Sequence, residues 1–227
     1  MNQKRLFLGC FFSLIATAFA FSIRGAIMED WRTQFNLSNE QLGHISGANG
    51  AFAISIILLS LVIDKIGYGR AMVFGFLAHL ISALMVIFAD SFQMLYWGTF
   101  LFGLGNGTVE AVINPVVATI FDKNKTHWLN ILHAGWPGGL VLGGLLAIGI
   151  GFIGTGGESA IWRWQMAVVL LPTILYGIVL FGQKFPVQER VAAGVSYKDM
   201  LAEFGWGSAY IVSFLLISGI NQVLLVT

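Results

Sequence analysis

Uncharged apolar residues run in long unbroken blocks, over 6–23, 45–63, 71–89, 91–109 continuing to 121, 128–155, 164–183 and 206–227. A bilayer core about 30 Å thick is crossed by roughly 20 apolar residues in a helix. The blocks therefore predict an all-α membrane protein with six complete spans and a seventh cut short. Only 10% of the residues are charged and 57% are hydrophobic, against about 25% charged in an ordinary soluble domain. So few charges can hardly cover a water-facing surface.

The distribution of Lys and Arg sets the expected orientation. With the amino terminus cytoplasmic, the inner segments hold Lys4, Arg5, Lys65, Arg70, Lys123, Lys125, Lys184, Arg190 and Lys198, leaving Arg24, Arg32 and Arg163 outside. A multi-pass inner-membrane protein with its amino terminus inside is expected. Net charge is +1, so nothing favours nucleic acid or an acidic partner. The single cysteine, Cys10, excludes an intrachain disulfide. Ala18-Phe19-Ala20 resembles a signal-peptide cleavage site, but the apolar run continues past it and a retained first helix is expected.

Two connections are longer than the rest. In the outer loop 29–43, Ser38 and Gln41 have the spacing of a capping box for the second helix. The segment 184–205 holds Pro186 and, at Ser196-Tyr197-Lys198-Asp199, a start signal for a short surface helix. The expected organisation is a six-helix bundle over 1–183, a cytoplasmic linker over 184–205 and the beginning of a seventh helix over 206–227. The chain stops inside that apolar run, which is expected of a fragment.

Small residues recur every fourth position in the fourth and fifth spans: Gly103, Gly107 and Ala111, then Gly135, Gly139, Gly143, Ala147 and Gly151. In lipid such stripes let helix backbones approach.

Asn106, Glu110 and Asn114 are also spaced by four and predict one polar face on the fourth span. Glu110 lies near the middle. A charged group there costs at least ~2.5 kcal/mol unless it meets a partner or a cavity, so Glu110 is the first candidate for a substrate or proton site. Pro115 removes a backbone hydrogen bond and is expected to kink or unwind the helix. Asn130 and His133 share a side of the fifth span, where His133 can bind a solute hydroxyl or share a proton with Glu110. Trp136 offers a stacking surface or simple packing. Arg24, in the outer part of the first span, either snorkels outward or points inward at an anion or at Glu110. An axial offset of roughly 10–15 Å at 1.5 Å per residue separates those two. Arg163, between two tryptophans, reads as an interfacial anchor.

The loop Ile63-Asp64-Lys65-Ile66-Gly67-Tyr68-Gly69-Arg70 resembles the signature of the major facilitator superfamily. Ser60 stands where the family usually has glycine. The resemblance implies a 3+3 inverted repeat in each six-helix half, with Asp64, Gly67 and Arg70 in the cytoplasmic gate against a carboxy-terminal half. Within the superfamily, Gly103, Gly105, Glu110, Asn114 and Pro115, followed by Leu129, Asn130 and His133, resemble the fucose–proton symporters and their glucose/galactose-transporting relatives. That implies proton-coupled uptake of a sugar or similar small polar solute, with no cofactor and no metal. Two departures stand out. The relatives' first-span acid falls near Gly25, beside a basic Arg24, and His133 replaces a glutamine.

Other classes fare worse. An intramembrane enzyme needs converging catalytic groups, yet His44, His79, His127 and His133 fall at scattered depths and no metalloprotease or serine-hydrolase motif is present. A retinal receptor needs a lysine in the seventh span, and 206–227 has none. A solute sensor on the same fold remains the alternative to a carrier.

Overall fold

The computed structural model describes residues 2–153, 160–194 and 210–221. Among them every regular element is helical: α1 (Gln3–Phe35), α2 (Asn39–Ala48), α3 (Ala51–Ile66), α4 (Tyr68–Ile87), α5 (Phe92–Ile120), a 3-10 turn (Asp122–Asn124), α6 (Lys125–Ile153), α7 (Ile161–Ala167), α8 (Leu170–Leu180), α9 (Glu189–Ala192) and α10 (Tyr210–Asn221). Among the described residues five stretches are long and apolar enough to cross a membrane: α1, α4, α5, Asp122–Ile153 and Ile161–Leu180. The Ser196–Asp199 helix start, the ends of the seventh apolar run and the side chain of Ser60 lie outside the described residues.

The second expected span is not one continuous helix. It divides into α2 and α3 at Asn49 and Gly50. Around the break the backbone closes tighter turns, with Gly50 N–H donating to Gly47 O at 2.7 Å and Ala53 N–H to Gly50 O at 3.0 Å. The reason lies in the sequence Gly47-Ala48-Asn49-Gly50, since glycine and asparagine are poor helix formers. Pro115, by contrast, does not unwind its helix: α5 runs unbroken from Phe92 to Ile120. The sixth span begins at Ile161, before Arg163 rather than after it. That guanidinium donates to the carbonyl oxygens of Ile87 and, at 2.8 Å, Ala89. It thereby satisfies main-chain acceptors at the end of α4, a common use of a basic residue.

Helix ends carry the other polar residues. Ser38 Oγ accepts from Gln41 N–H at 3.2 Å and Gln41 Oε1 accepts from Ser38 N–H at 2.9 Å, completing the expected capping box. At the opposite side, Arg5 donates from Nε to Val179 O at 2.8 Å and from Nη2 to Phe181 O at 3.2 Å. The start of α1 and the end of α8 therefore lie on the same side, as an even number of spans between them requires.

Two helices, α1 and α5, organise the bundle. α1 packs along α6 and α8, and α5 packs along α4 and α3. Gly135 faces Phe11, Gly139 faces Ala18 and Ile15, and Gly143 faces Phe19. Gly103 and Gly107 lie against the backbone of Asn49 and Phe52 at the α2–α3 break. Lipid tails are as apolar as leucine, so this packing, rather than water exclusion, holds the helices together. The far side of α6 presents Val141, Leu142, Leu145 and Ile148, all exposed.

A methyl group added at Gly139 would sit 2.7 Å from Ala18 Cβ and 3.3 Å from Ile15 O, whereas one at Gly138 meets nothing within 4 Å. Gly139→Ala should therefore destabilise the protein by about 1–3 kcal/mol, the usual overpacking cost. Gly138→Ala should be neutral or stabilise by up to ~1 kcal/mol through helix propensity. Thermal unfolding of the two variants in detergent checks this; shifts of the same sign and size would mean that α1 and α6 are not in close contact at Gly139.

Candidate functional site

α5 carries the polar residues that the sequence places on one face, but its neighbours split them. Glu110 Oε2 accepts from Asn114 Nδ2 at 3.0 Å, and the same amide reaches Glu110 O at 3.2 Å. Both residues are half-buried, and Asn114 Oδ1 is buried with no partner. Asn106 does not join them. It is 2% exposed and its Oδ1 lies 2.9 Å from His79 Nε2. The physical reason is helical drift. Each step of four residues overshoots a full turn by about 40° at 3.6 residues per turn, so Asn106 and Asn114 end about 80° apart. Asn106 turns toward α4, while Glu110 and Asn114 stay on the more open side.

His79 is the functional candidate that sequence reasoning missed. It is fully buried, stacks on Phe102 with centroids 4.7 Å apart, and places Nδ1 3.0 Å from the Tyr176 hydroxyl. One assignment satisfies every atom: Nε2–H donates to Asn106 and the Tyr176 hydroxyl donates to Nδ1. The imidazole then joins α4, α5 and α8. The signal was present, because a histidine within the apolar run 71–89 is subject to the same desolvation argument as Glu110.

Arg24 points inward. It is 6% exposed, with Nε donating to Ala20 O at 3.0 Å and Nη2 to Asn49 Oδ1 at 3.2 Å, and its guanidinium lies 4.6 Å from the centre of the Phe102 ring. It makes no hydrogen bond to Glu110 among the described residues. Nη1 is buried and has no partner. Arg24 also lines a cavity of about 170 Å³ between α1, the α2–α3 break and α5.

The fifth-span candidates lie apart from this cluster. Asn130 and His133 are exposed on α6, and no hydrogen bond joins His133 to Glu110 among the described residues. The buried stripe of α6 runs through Leu132, Gly135 and Gly139, which leaves those two side chains outside the α1 contact. Trp136 is half-buried, its ring tilted against Phe21 at 6.0 Å.

At the α3–α4 connection Gly67 has φ +82° and ψ 156°, a conformation essentially reserved for glycine. Asp64 is half-buried one turn before it and Arg70 is exposed. Downstream, Gln188 Nε2 donates to Ile63 O at 2.7 Å, and Phe185 packs where a Gly69 side chain would point. The segment after α8 thus folds back over the tight turn.

A family model for the Major Facilitator Superfamily matches residues 7–227, almost the whole chain. The chain belongs to that superfamily. Among curated relatives, it is 31% identical over 126 residues to the TsgA homolog of Buchnera aphidicola subsp. Schizaphis graminum, covering 55% of this chain and 33% of that protein. It is 26% identical over 150 residues to the minor myo-inositol transporter IolF of Bacillus subtilis, covering 64% and 34%. The chain thus spans about a third of the length of these relatives. The inward-open xylose transporter XylE of E. coli superposes with TM-score 0.70 at 12% identity, over 96% of this chain and 56% of that one. Tetrameric PepTSo2 superposes with TM-score 0.71 at 14% identity, over 99% and 49%. At identities this low the superpositions show the shared fold alone; together with the family match and the apolar helices, they make this a multi-pass, all-α member of the superfamily.

In this superfamily fold the His79 bridge links three spans, and it is open to test. His79→Leu leaves Asn106 Oδ1 and the Tyr176 hydroxyl unpartnered, each at a cost of about 1–3 kcal/mol. Tyr176→Phe removes one bond and costs about 1 kcal/mol. A double-mutant cycle read by thermal unfolding should show coupling of at least ~0.5 kcal/mol, as expected of residues in one network; strict additivity would separate the two residues.

Proposed function

We propose that this chain is the amino-terminal half of a secondary carrier that couples uptake of a small polar solute to protons at Glu110. The supporting observation is the setting of that carboxyl. It lies near the middle of a spanning helix, half-buried, with an amide as its hydrogen-bonding neighbour and no ion-pair partner among the described residues. A carboxyl group held away from cations but reachable from one side can exchange a proton as access alternates. Placing it on a continuous helix keeps it at a fixed depth, so only the surrounding halves need to move.

In this reading residues 1–183 form the amino-terminal bundle, 184–205 the cytoplasmic linker and 206–227 the start of the carboxy-terminal half, with the amino terminus on the cytoplasmic face of the inner membrane. Asp64, Gly67 and Arg70 gate the cytoplasmic side. Asn106 is a positioning residue held by His79, and Asn114 orients the Glu110 carboxyl. Asn130, His133 and Trp136, exposed or half-buried on α6, face the solute path that the second half completes. Two of the similar proteins are transporters of myo-inositol and of xylose, which supports a polyhydroxylated solute.

The test uses the full-length protein in proteoliposomes. Glu110→Gln should reduce accumulation driven by an imposed pH gradient to the level of empty vesicles while solute exchange at equal pH persists. Accumulation unchanged by that substitution would remove Glu110 from coupling.

A further inference from the structure

The cavity beside Arg24 concentrates polar groups that the protein leaves unsatisfied. Among the described residues six buried side-chain atoms lack a hydrogen-bond partner, and three of them belong to residues lining this one cavity: Arg24 Nη1, Trp31 Nε1 and Thr99 Oγ1. Two of the three are donors only, and the threonine hydroxyl can also donate. No acidic side chain among the described residues lines the space, and Arg24 has no ion pair among them. A guanidinium carries its charge at any physiological pH. A buried cation without a counter-charge is strongly destabilising, and each unpaired buried donor adds about 1–3 kcal/mol. A fold does not ordinarily gather three such costs around one void.

We infer that this cavity is the binding site for the carboxylate group of a small organic acid, with Arg24 as its counter-ion and Trp31 and Thr99 as further donors. This rests on the carrier reading above and narrows its solute to a carboxylate, such as a hydroxy or sugar acid. One cation favours a monoanion, since a dianionic phosphate would leave a net negative charge in the low-dielectric interior. Of the remaining wall, Phe21, Met28 and Ile45 are apolar, beside Ser46 and Asn49, and this largely apolar stretch suits a carbon skeleton rather than an inorganic ion. The three unpartnered atoms are themselves buried although their residues line the cavity, so the acid engages them by side-chain rotation. Asn49 holds the other side of the guanidinium at the α2–α3 break. Interrupted helices commonly border binding sites in transporters.

Equilibrium binding to the full-length protein in detergent tests this, with glycerate and gluconate set against glycerol and sorbitol, and with phosphate and chloride as controls. The acids should bind at least tenfold more tightly than the matched alcohols. Arg24→Gln should abolish that preference, and Thr99→Val, a milder change that preserves shape, should weaken acid binding several-fold without weakening alcohol binding. Equal affinity for acid and alcohol, binding of phosphate or chloride in preference to the acids, absence of acid binding, or an acid preference that survives Arg24→Gln in a folded protein would each overturn the inference. Binding is measured without a pH gradient, so failure of Glu110 to couple protons leaves this readout standing, and loss of acid binding leaves the coupling test standing.

Discussion

A polar group inside a bilayer has no water to turn to, and that constraint governs where nearly every hydrophilic side chain in this bundle lies. At the membrane faces the solution is local. Ser38 and Gln41 cap a helix start, while Arg5 and Arg163 satisfy carbonyl oxygens at the ends of other helices. At depth the solution must come from another helix, and His79 shows its cost in geometry. Both ring nitrogens are used, one toward α5 and one toward α8. That commits three spans to one relative rotation. The glycine contacts make this possible, because a side chain at Gly105 would meet the His79 ring at 2.5 Å.

Depth and close approach are legible in the sequence, whereas facing is not. Apolar blocks, the capping box and the every-fourth glycine stripe are written in residues within a few positions of one another. The capping box forms as expected and the stripe does bring backbones close, with Gly135, Gly139 and Gly143 all against α1. The polar face of α5 is half as expected. A spacing of four puts neighbours together once, and Glu110 and Asn114 do pair, but the same spacing applied twice drifts far enough to hand Asn106 to a different helix. The fifth span departs from expectation for another reason. Asn130 and His133 do share a side, but that side turns away from α1. The glycine stripe marks the α1 side, and Asn130 and His133 lie off it, but a helix largely apolar beyond its first two turns gives no polar–apolar periodicity to say what its other sides meet.

The break in the second span is readable from residue types and not from hydropathy. Gly47, Asn49 and Gly50 do not lower the apolar average enough to interrupt a span, yet they remove the side chains that would stabilise a continuous helix. Pro115 illustrates the converse. In a helix surrounded by neighbours the loss of one backbone bond is absorbed, and Thr119 Oγ1 donates to Pro115 O at 2.8 Å in the turn that follows. The residue with the strongest intrinsic tendency to interrupt left α5 intact, whereas a cluster of weak helix formers divided α2 from α3. Packing explains the difference, because Gly103 and Gly107 bring α5 directly against the break and fix its geometry.

Two ionisable groups of opposite sign on different helices, Arg24 and Glu110, with no hydrogen bond between them, have an electrical consequence for a carrier. Moving one net charge against a membrane potential costs about 2.3 kcal/mol per 100 mV. An anion entering alone a cell that is negative inside would be opposed by that amount, more than tenfold in its equilibrium distribution. In the proposed cycle, an anion bound at Arg24 and accompanied by one proton at Glu110 crosses with no net charge, so the potential neither opposes nor assists it and the pH gradient alone drives uptake. A neutral solute accompanied by a proton would carry net positive charge and be drawn inward by the same potential. In the cycle proposed above, Arg24, beside the position where the resemblance to the fucose–proton symporters implies an acid, therefore alters the electrical balance as well as the chemistry of the site.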